Sequence, residues 1–387
     1  MTGATPSGEA KTAILMNGKF MKTNLVLVAL TILFLNSCKE VKKEEASNEE
    51  SNEITYSLDE LKKQRTDWQP RSQEEMKALF AIEILDDKAL NIIDEDTEIK
   101  ILANGFTWTE GPVWVKDGNY LLFSDIPNNK VFRLDAQRDT VTYLHPSGFS
   151  GDAYSGAEPG SNGLLVNAEG ELVLMQHGNR AVSKMKNPMA SPKEVYEILV
   201  NNYEGKRLNS PNDGAFDADG NLYFTDPPYG LPGLLEDPNK ELDFQGVYCL
   251  LKTGELVLLD KSLKYPNGLC ISPDGKKLIV AVSNIEKAAY YEYEIVSPGK
   301  VENKKIFYNV DHFLSKEGYQ GLPDGIKITK LGYVLATGPK GLLIFNMSGK
   351  LLARVHTGQL TANCALGKDE KTLYMTAHDH IISIALK

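Results

Sequence analysis

The sequence is poor in cysteine, in basic charge and in long apolar runs, and each shortage narrows what the chain can do. Only four of its 387 residues are Cys. Past residue 38 they are Cys249, Cys270 and Cys364, whose spacing matches no zinc site and which read as small buried apolar residues. The formal net charge is −10 and the pI about 5.3, which excludes a nucleic-acid partner, since a phosphate backbone needs a basic stripe. No apolar run approaches the roughly 20 residues a membrane-spanning helix requires. Common enzyme signatures are missing as well. GFSG (148–151) is not G-x-S-x-G, H-E-x-x-H does not occur, and there is no Gly-rich nucleotide fingerprint.

At the N-terminus, Lys22 precedes the apolar run LVLVALTILFL (25–35) and then Asn36-Ser37-Cys38. That run has signal-peptide length, and a small residue followed by Cys resembles a bacterial lipoprotein signal in which Cys38 becomes the lipidated mature N-terminus. An ordinary secretory signal is the alternative, and Met21 is an alternative start. The expectation is an extracytoplasmic bacterial protein, periplasmic or at the cell surface, that meets the membrane only through its lipid anchor. Residues 1–38 would be leader and signal. Residues 39–55, which include KEVKKEEASNEESNE, would be a solvated, disordered tether. Residues 56–95 would be a partly helical lead-in, from SLDELKKQ and SQEEMKALFAIEILDDKALNII, and residues 96–387 the catalytic domain.

That last region has no long helical periodicity, and it repeats. EGPVWVKDGNYLLFSD, SNGLLVNAEGELVLMQ, PNDGAFDADGNLYFTD, PNGLCISPDGKKLIVA, PDGIKITKLGYVLATG and TANCALGKDEKTLYMTA each open on an acid or Asn. A short strand, a hairpin turn and a second strand follow. The leading residues are Glu110, Asn162, Asn212, Asn267, Asp324 and Asn363, separated by 52, 50, 55, 57 and 39 residues. This is the length of a four-stranded propeller blade, so the expected fold is all-β, a six-bladed β-propeller. In such a fold the six leading residues converge on one face, around the mouth of the central channel.

Glu110, Asp324 and the amides of Asn212 and Asn267 are hard oxygen donors of the kind that Ca²⁺ and Mg²⁺ select. Two buried carboxylates repel unless a proton or a cation intervenes. Each Asn or Asp taken alone is more readily explained as a turn residue, and the metal reading rests on the set. Glu110 is the sharper case, because Glu is not favoured in turns yet fills the same slot.

EGPVW (110–114), SPNDG (210–214) with TDPPYG (225–230), PNGL (266–269) and PDGI (323–326) together resemble the SMP-30/gluconolactonase/luciferin-regenerating-enzyme family, especially its bacterial gluconolactonase-like branch. The resemblance spans roughly residues 80–387. It implies one divalent cation in the channel, usually Ca²⁺ with Mg²⁺, Zn²⁺ or Mn²⁺ as alternatives, held by Glu110, Asn212, Asn267 and Asp324. In some members the counterpart of Asn212 contacts substrate instead. QHGNR (176–180) looks like the family's motif in blade 2 and brings His177 and Arg180 to the channel mouth. One departure stands out: some sugar-lactone-hydrolysing members carry an Arg two residues before the Asn of blade 3, where this chain has Ser210, with Arg207 nearby but out of register.

The expected activity is metal-assisted hydrolysis of a sugar lactone or similar small cyclic ester. Asp324 would serve as base or nucleophile and His177 as proton carrier or hydrogen-bond donor. Asn162, Asn212, Arg180 and Tyr229 would contact substrate. His378 and His380, in AHDH, read as residues of a solvent-exposed turn. The rival readings are an arylesterase or organophosphate hydrolase of the same fold, and a non-catalytic surface propeller with a structural ion.

Overall fold

The computed structural model describes residues 55–387. The signal-type segment, the proposed lipidation site Cys38 and nearly all of the acidic tether lie outside the described residues.

Strands Thr109–Val115, Tyr120–Asp125, Lys130–Leu134 and Thr140–Leu144 pair antiparallel in sequence order as the first blade. The same meander recurs five times. Its innermost strands are Thr109–Val115, Ser161–Val166, Gly214–Phe216, Pro266–Ile271, Ile326–Ile328 and Asn363–Leu366. Each neighbours the next, and the last neighbours the first, so the ring closes. This is the six-bladed propeller expected from the repeat. The turns between first and second strands carry Gly, Asn and Asp because these residues accept the backbone geometry of tight hairpins. The strands themselves are apolar and β-branched, since both faces of each blade pack against neighbouring blades; all six residues of Tyr120–Asp125 are buried.

Two N-terminal strands complete this architecture. Lys100–Asn104 is the outer strand of blade 6, with Lys100 opposite Ser383 and Asn104 opposite His380. It closes the ring non-covalently, joining the start of the propeller to its end. The second strand, Ala81–Ile84, adds a fifth strand to blade 5, with Ala81 opposite His356 and Ile84 opposite Ala353.

That fifth strand corrects the helical reading of the lead-in. Helix α1 (Leu58–Thr66) and helix α2 (Gln73–Leu79) form as the sequence suggests, each opened by a Ser-x-x-Glu capping box, Ser57 with Glu60 and Ser72 with Glu75. Helix α2 stops at Leu79, whereas the helical pattern runs on through Ile93. Phe-Ala-Ile-Glu-Ile alternates apolar and other residues at period two. An open sheet edge lies beside it, and Ile82 is buried against Val355 and Leu342. Tertiary pairing outweighs local helix preference there. Only a short 3-10 turn, Asp87–Asn91, follows.

Hydroxyls on second strands latch successive blades together. Ser124 Oγ donates to the Asn162 carbonyl (2.8 Å), Thr225 Oγ1 to that of Asn267 (2.8 Å), Ser283 Oγ to that of Pro323 (2.6 Å) and Thr337 Oγ1 to that of Ala362 (2.7 Å). Each bond holds the backbone at or beside the next blade's leading residue, which positions the site.

Candidate metal and active centre

Strand pairing is interrupted where leading residues occur. Register shifts fall between Glu110 and Val113, between Ser161 and Leu164, and between Pro266 and Leu269. Such bulges re-aim side chains, here those of Glu110, Asn162 and Asn267. Asn212 and Asp324 sit just ahead of their strands, their N–H groups donating to the Thr225 (2.9 Å) and Thr337 (3.1 Å) carbonyls. The glycine after a leading residue makes room for the next blade. At Gly111, where φ is +50°, a Cβ would fall 1.9 Å from the Asn162 carbonyl oxygen.

Glu110, Asn162, Asn212, Asn267 and Asp324 therefore meet in one cavity of about 350 Å³. Its walls include Trp68, Trp108, Tyr229, Tyr319 and His378, with Arg65, Glu158 and Ser283 as further polar groups. Glu110, Asn162, Asn212 and Asn267 are buried. The sixth leading residue, Asn363, lies behind the floor. Its Nδ2 donates to Glu110 Oε2 and Asp213 Oδ2, both at 3.2 Å, while its Oδ1 accepts from Lys327 Nζ at 3.3 Å.

The floor is electrostatically strained without a cation. Burial pushes Glu110 up to about 8, and the charges of Asp213 and Glu158 add to it against hydrogen bonds from Gly111 N–H and Asn363. Asp324 is driven well above the carboxylate range, first by burial and then by Glu110, Asp213 and Glu158. Lys327 stays charged, because the attraction of Asp213 (3.6 Å) and other negative neighbours outweighs its burial. The oxygens Asn162 Oδ1 and Asp324 Oδ1 are shut from solvent with no hydrogen-bond partner. Asn267 commits its Nδ2 to Ser283 Oγ (2.9 Å), leaving its carbonyl oxygen for another partner. Among the described residues no three His, Cys, Asp or Glu side chains form a metal cluster. The donor set is instead two carboxylates plus neutral amides, which fits a hard divalent cation rather than a nitrogen- or sulfur-seeking one. Glu110, Asn212, Asn267 and Asp324 can hold it.

Tyr229 lines the cavity and also stacks on Tyr265 (centroids 5.6 Å apart), so it is both wall and wedge. His177 is fully buried and does not line the cavity. Its Nδ1 lies 2.8 Å from Glu158 Oε2, so it stands behind a carboxylate that does. Arg180 is corrected more strongly. Its Nε donates to the Leu208 (2.7 Å) and Asn209 (3.1 Å) carbonyls and its Nη1 to that of Asn239 (2.9 Å). Left-handed backbone at Arg180 (φ +57°) closes the turn after its strand. The guanidinium pins the loops of blade 3 and is absent from the cavity wall. Ser210 is likewise buried in loop packing, its Oγ donating to the Pro227 carbonyl and accepting from Gly230 N–H. Arg207 is exposed and reaches the Asn179 carbonyl (3.3 Å).

The reading of AHDH as a solvent-exposed turn also fails. His378 faces the cavity with its ring edge-on to Trp108 (5.1 Å), and burial lowers its pKa. His380 is buried beside Asp379 (2.7 Å). Which way that turn faces is invisible in the tetrapeptide Ala-His-Asp-His. Trp108 sits in the bend just before strand Thr109–Val115, two residues ahead of Glu110. Glu158 sits in a loop with no periodic signal. The three cysteines past residue 38 are free and buried, as their spacing suggested.

Comparison with known proteins agrees with this architecture. A gluconolactonase of Zymomonas mobilis is 38% identical over 300 residues, covering 76% of this chain and 83% of its own. The solved structure of XC5397, a gluconolactonase from Xanthomonas campestris, superposes with a TM-score of 0.68 at 26% identity, over 79% of this chain and 95% of that one. A calcium-binding protein, regucalcin, from Agrobacterium tumefaciens shares the fold at TM-score 0.59 and 16% identity, over 75% of this chain and 95% of that one. Since the SMP-30/gluconolactonase/LRE-like profile matches residues 108–379, from Trp108 through the turn that carries His378, the chain belongs to that family.

Proposed function

We propose that this protein is a lactone hydrolase acting on a sugar lactone or similar small cyclic ester with the help of one divalent cation, Ca²⁺ before Mg²⁺, Zn²⁺ or Mn²⁺. The observation that carries the reading is the convergence of Glu110 and Asp324 in an aromatic-walled cavity where Asp324 Oδ1 and Asn162 Oδ1 are shut from solvent without a hydrogen-bond partner. The gluconolactonase relative supports the substrate class. The regucalcin likeness speaks only to fold, so the ion rests on the donor chemistry.

A bound cation would polarise the ester carbonyl. Asp324 has a free Oδ1 and is the base we assign to take a proton from the attacking water. Water oxygen bonds to the carbonyl carbon, the ring C–O bond breaks, and the departing alkoxide takes up a proton, giving a hydroxy acid. Glu158, held by His177, is placed to deliver that proton at the wall. Asn162 can hydrogen-bond ring oxygens, while Trp108 and Tyr229 offer apolar faces to the sugar's C–H groups. Burial of Glu110 and Asn267 keeps the reacting end away from bulk water.

The reading is tested by initial rates of the purified protein on glucono-δ-lactone and on phenyl acetate. Faster turnover of the lactone supports it, and turnover of the aryl ester alone would favour the arylesterase alternative. The signal-type segment ending at Cys38 supports a further proposal, that the enzyme works outside the cytoplasm on a lipid anchor. Loss of membrane fractionation in a Cys38→Ser variant checks it.

A further inference from the structure

Helix α1 belongs to the lead-in, yet one of its faces reaches the cavity. Leu61, Gln64 and Arg65 follow the i, i+3, i+4 spacing of a single helix face, and Trp68 comes two residues after the helix ends. Leu61 is buried with Leu314, Tyr319 and Leu322. Gln64 Oε1 accepts from Tyr319 N–H at 2.7 Å. Tyr56 N–H donates to the Ser315 carbonyl (2.6 Å), and Lys62 pairs with Glu286 (3.3 Å). The helix is thus fixed along its length, and Arg65 in its last turn and Trp68 just beyond its end line the cavity.

Among the described residues Arg65 is the only Lys or Arg on that lining; the acidic side chains there are Glu110, Glu158 and Asp324. It is exposed where the floor residues are buried, which puts it at the rim. Among the described residues its guanidinium makes no hydrogen bond or ion pair. Its charge opposes the rise of Asp324, but burial, Glu110, Asp213 and Glu158 all act on that carboxylate more strongly. The cation that offsets Asp213 is Lys327, buried beside it. An exposed guanidinium is screened by water and contributes little to stability. Its planar fork of donors is suited instead to a carboxylate or phosphate.

We propose that Arg65 is a specificity-determining residue that selects lactones bearing an anionic group, carboxylate or phosphate, at the end remote from the scissile ester. The proposal rests on the lactone-hydrolase reading for the orientation of substrate. With the ester at the buried floor, the far end of the molecule lies at the rim, beside Arg65 and the Trp68 ring. Closure of the ligand over Trp68 and Tyr319 displaces water from the ion pair and strengthens it.

The test uses cation-loaded protein and its Arg65→Ala variant. Tryptophan fluorescence is titrated with gluconate, glucarate and 6-phosphogluconate, with Trp68 and Trp108 as reporters in the cavity wall. KM is measured in parallel for glucono-δ-lactone, glucaro-lactone and 6-phosphoglucono-δ-lactone. The variant should bind glucarate or 6-phosphogluconate about tenfold more weakly and leave gluconate unchanged, with the same split in KM. Whichever of glucarate and 6-phosphogluconate responds identifies the group. Equal weakening of all three ligands, or of none, overturns the proposal. If the wild type hydrolyses none of the lactones, the lactone-hydrolase reading fails, and the titrations alone still decide whether Arg65 discriminates.

Discussion

Asn363 Nδ2 lies 3.2 Å from Glu110 Oε2, so the leading residue of the last blade holds the leading residue of the first. Ring closure and site geometry are therefore one structural event. Replacing Asn363 by Leu keeps the volume but removes the donor shared by Glu110 and Asp213. Cation affinity should fall about tenfold or more, as for other groups that orient a metal ligand. Calorimetric titration with Ca²⁺ measures it, and unchanged affinity would show that Glu110 is positioned by its backbone alone.

A proton and a cation compete for the floor. Cation-free, Glu110 is pushed up to about 8, above the 4.5 of an ordinary Glu. The folded state then binds this proton more tightly than the unfolded chain. Its contribution to stability is complete below about 4.5 and is lost as pH rises through about 8. Chelated protein should lose thermal stability across that window. Cation-loaded protein should not, and apparent Ca²⁺ affinity should rise with pH until about 8. Melting curves at several pH values, with and without chelator, check both signs.

Gly111→Ala should destabilise the fold by at least about 2 kcal/mol through overpacking and positive φ. The new Cβ meets a backbone oxygen that the Ser124 hydroxyl also holds. Denaturant unfolding reads the loss.

His177→Phe fills the buried space but frees Glu158. Turnover should fall about a hundredfold, the lower end of what a proton carrier contributes, while Ca²⁺ affinity stays near the wild-type value. A matched drop in cation affinity would instead place Glu158 among the metal-holding groups.

The repeat was legible because each blade reuses one geometry, and that geometry writes an acid or Asn at or just before the start of every inner strand. Five of the six leading residues line one cavity for this reason. The glycines beside them read as turn signals, yet Gly111 and Gly325 are small because the next blade's backbone or Asn363 occupies their Cβ position. Only the closed ring reveals that constraint. Glu158 and His378 reach the cavity from loops, where neither period two nor period 3.6 marks a face. Arg65 lay even further out of view. Its helix was readable from the Ser57–Glu60 box, but its docking depends on Tyr319 and Leu314, more than 240 residues away. Arg180 misled because a charged residue in a motif near the mouth says nothing about which way the turn points it.

The most direct test is hydrolysis of glucono-δ-lactone by the purified protein, followed with a pH indicator and corrected for spontaneous ring opening. It is run after exhaustive chelation and again after Ca²⁺ is restored, beside the Asp324→Asn variant. The account predicts turnover that disappears on chelation, returns with Ca²⁺, and is absent in the variant under both conditions. Hydrolysis that persists undiminished in chelator, or no rate above the variant with Ca²⁺ present, would contradict it.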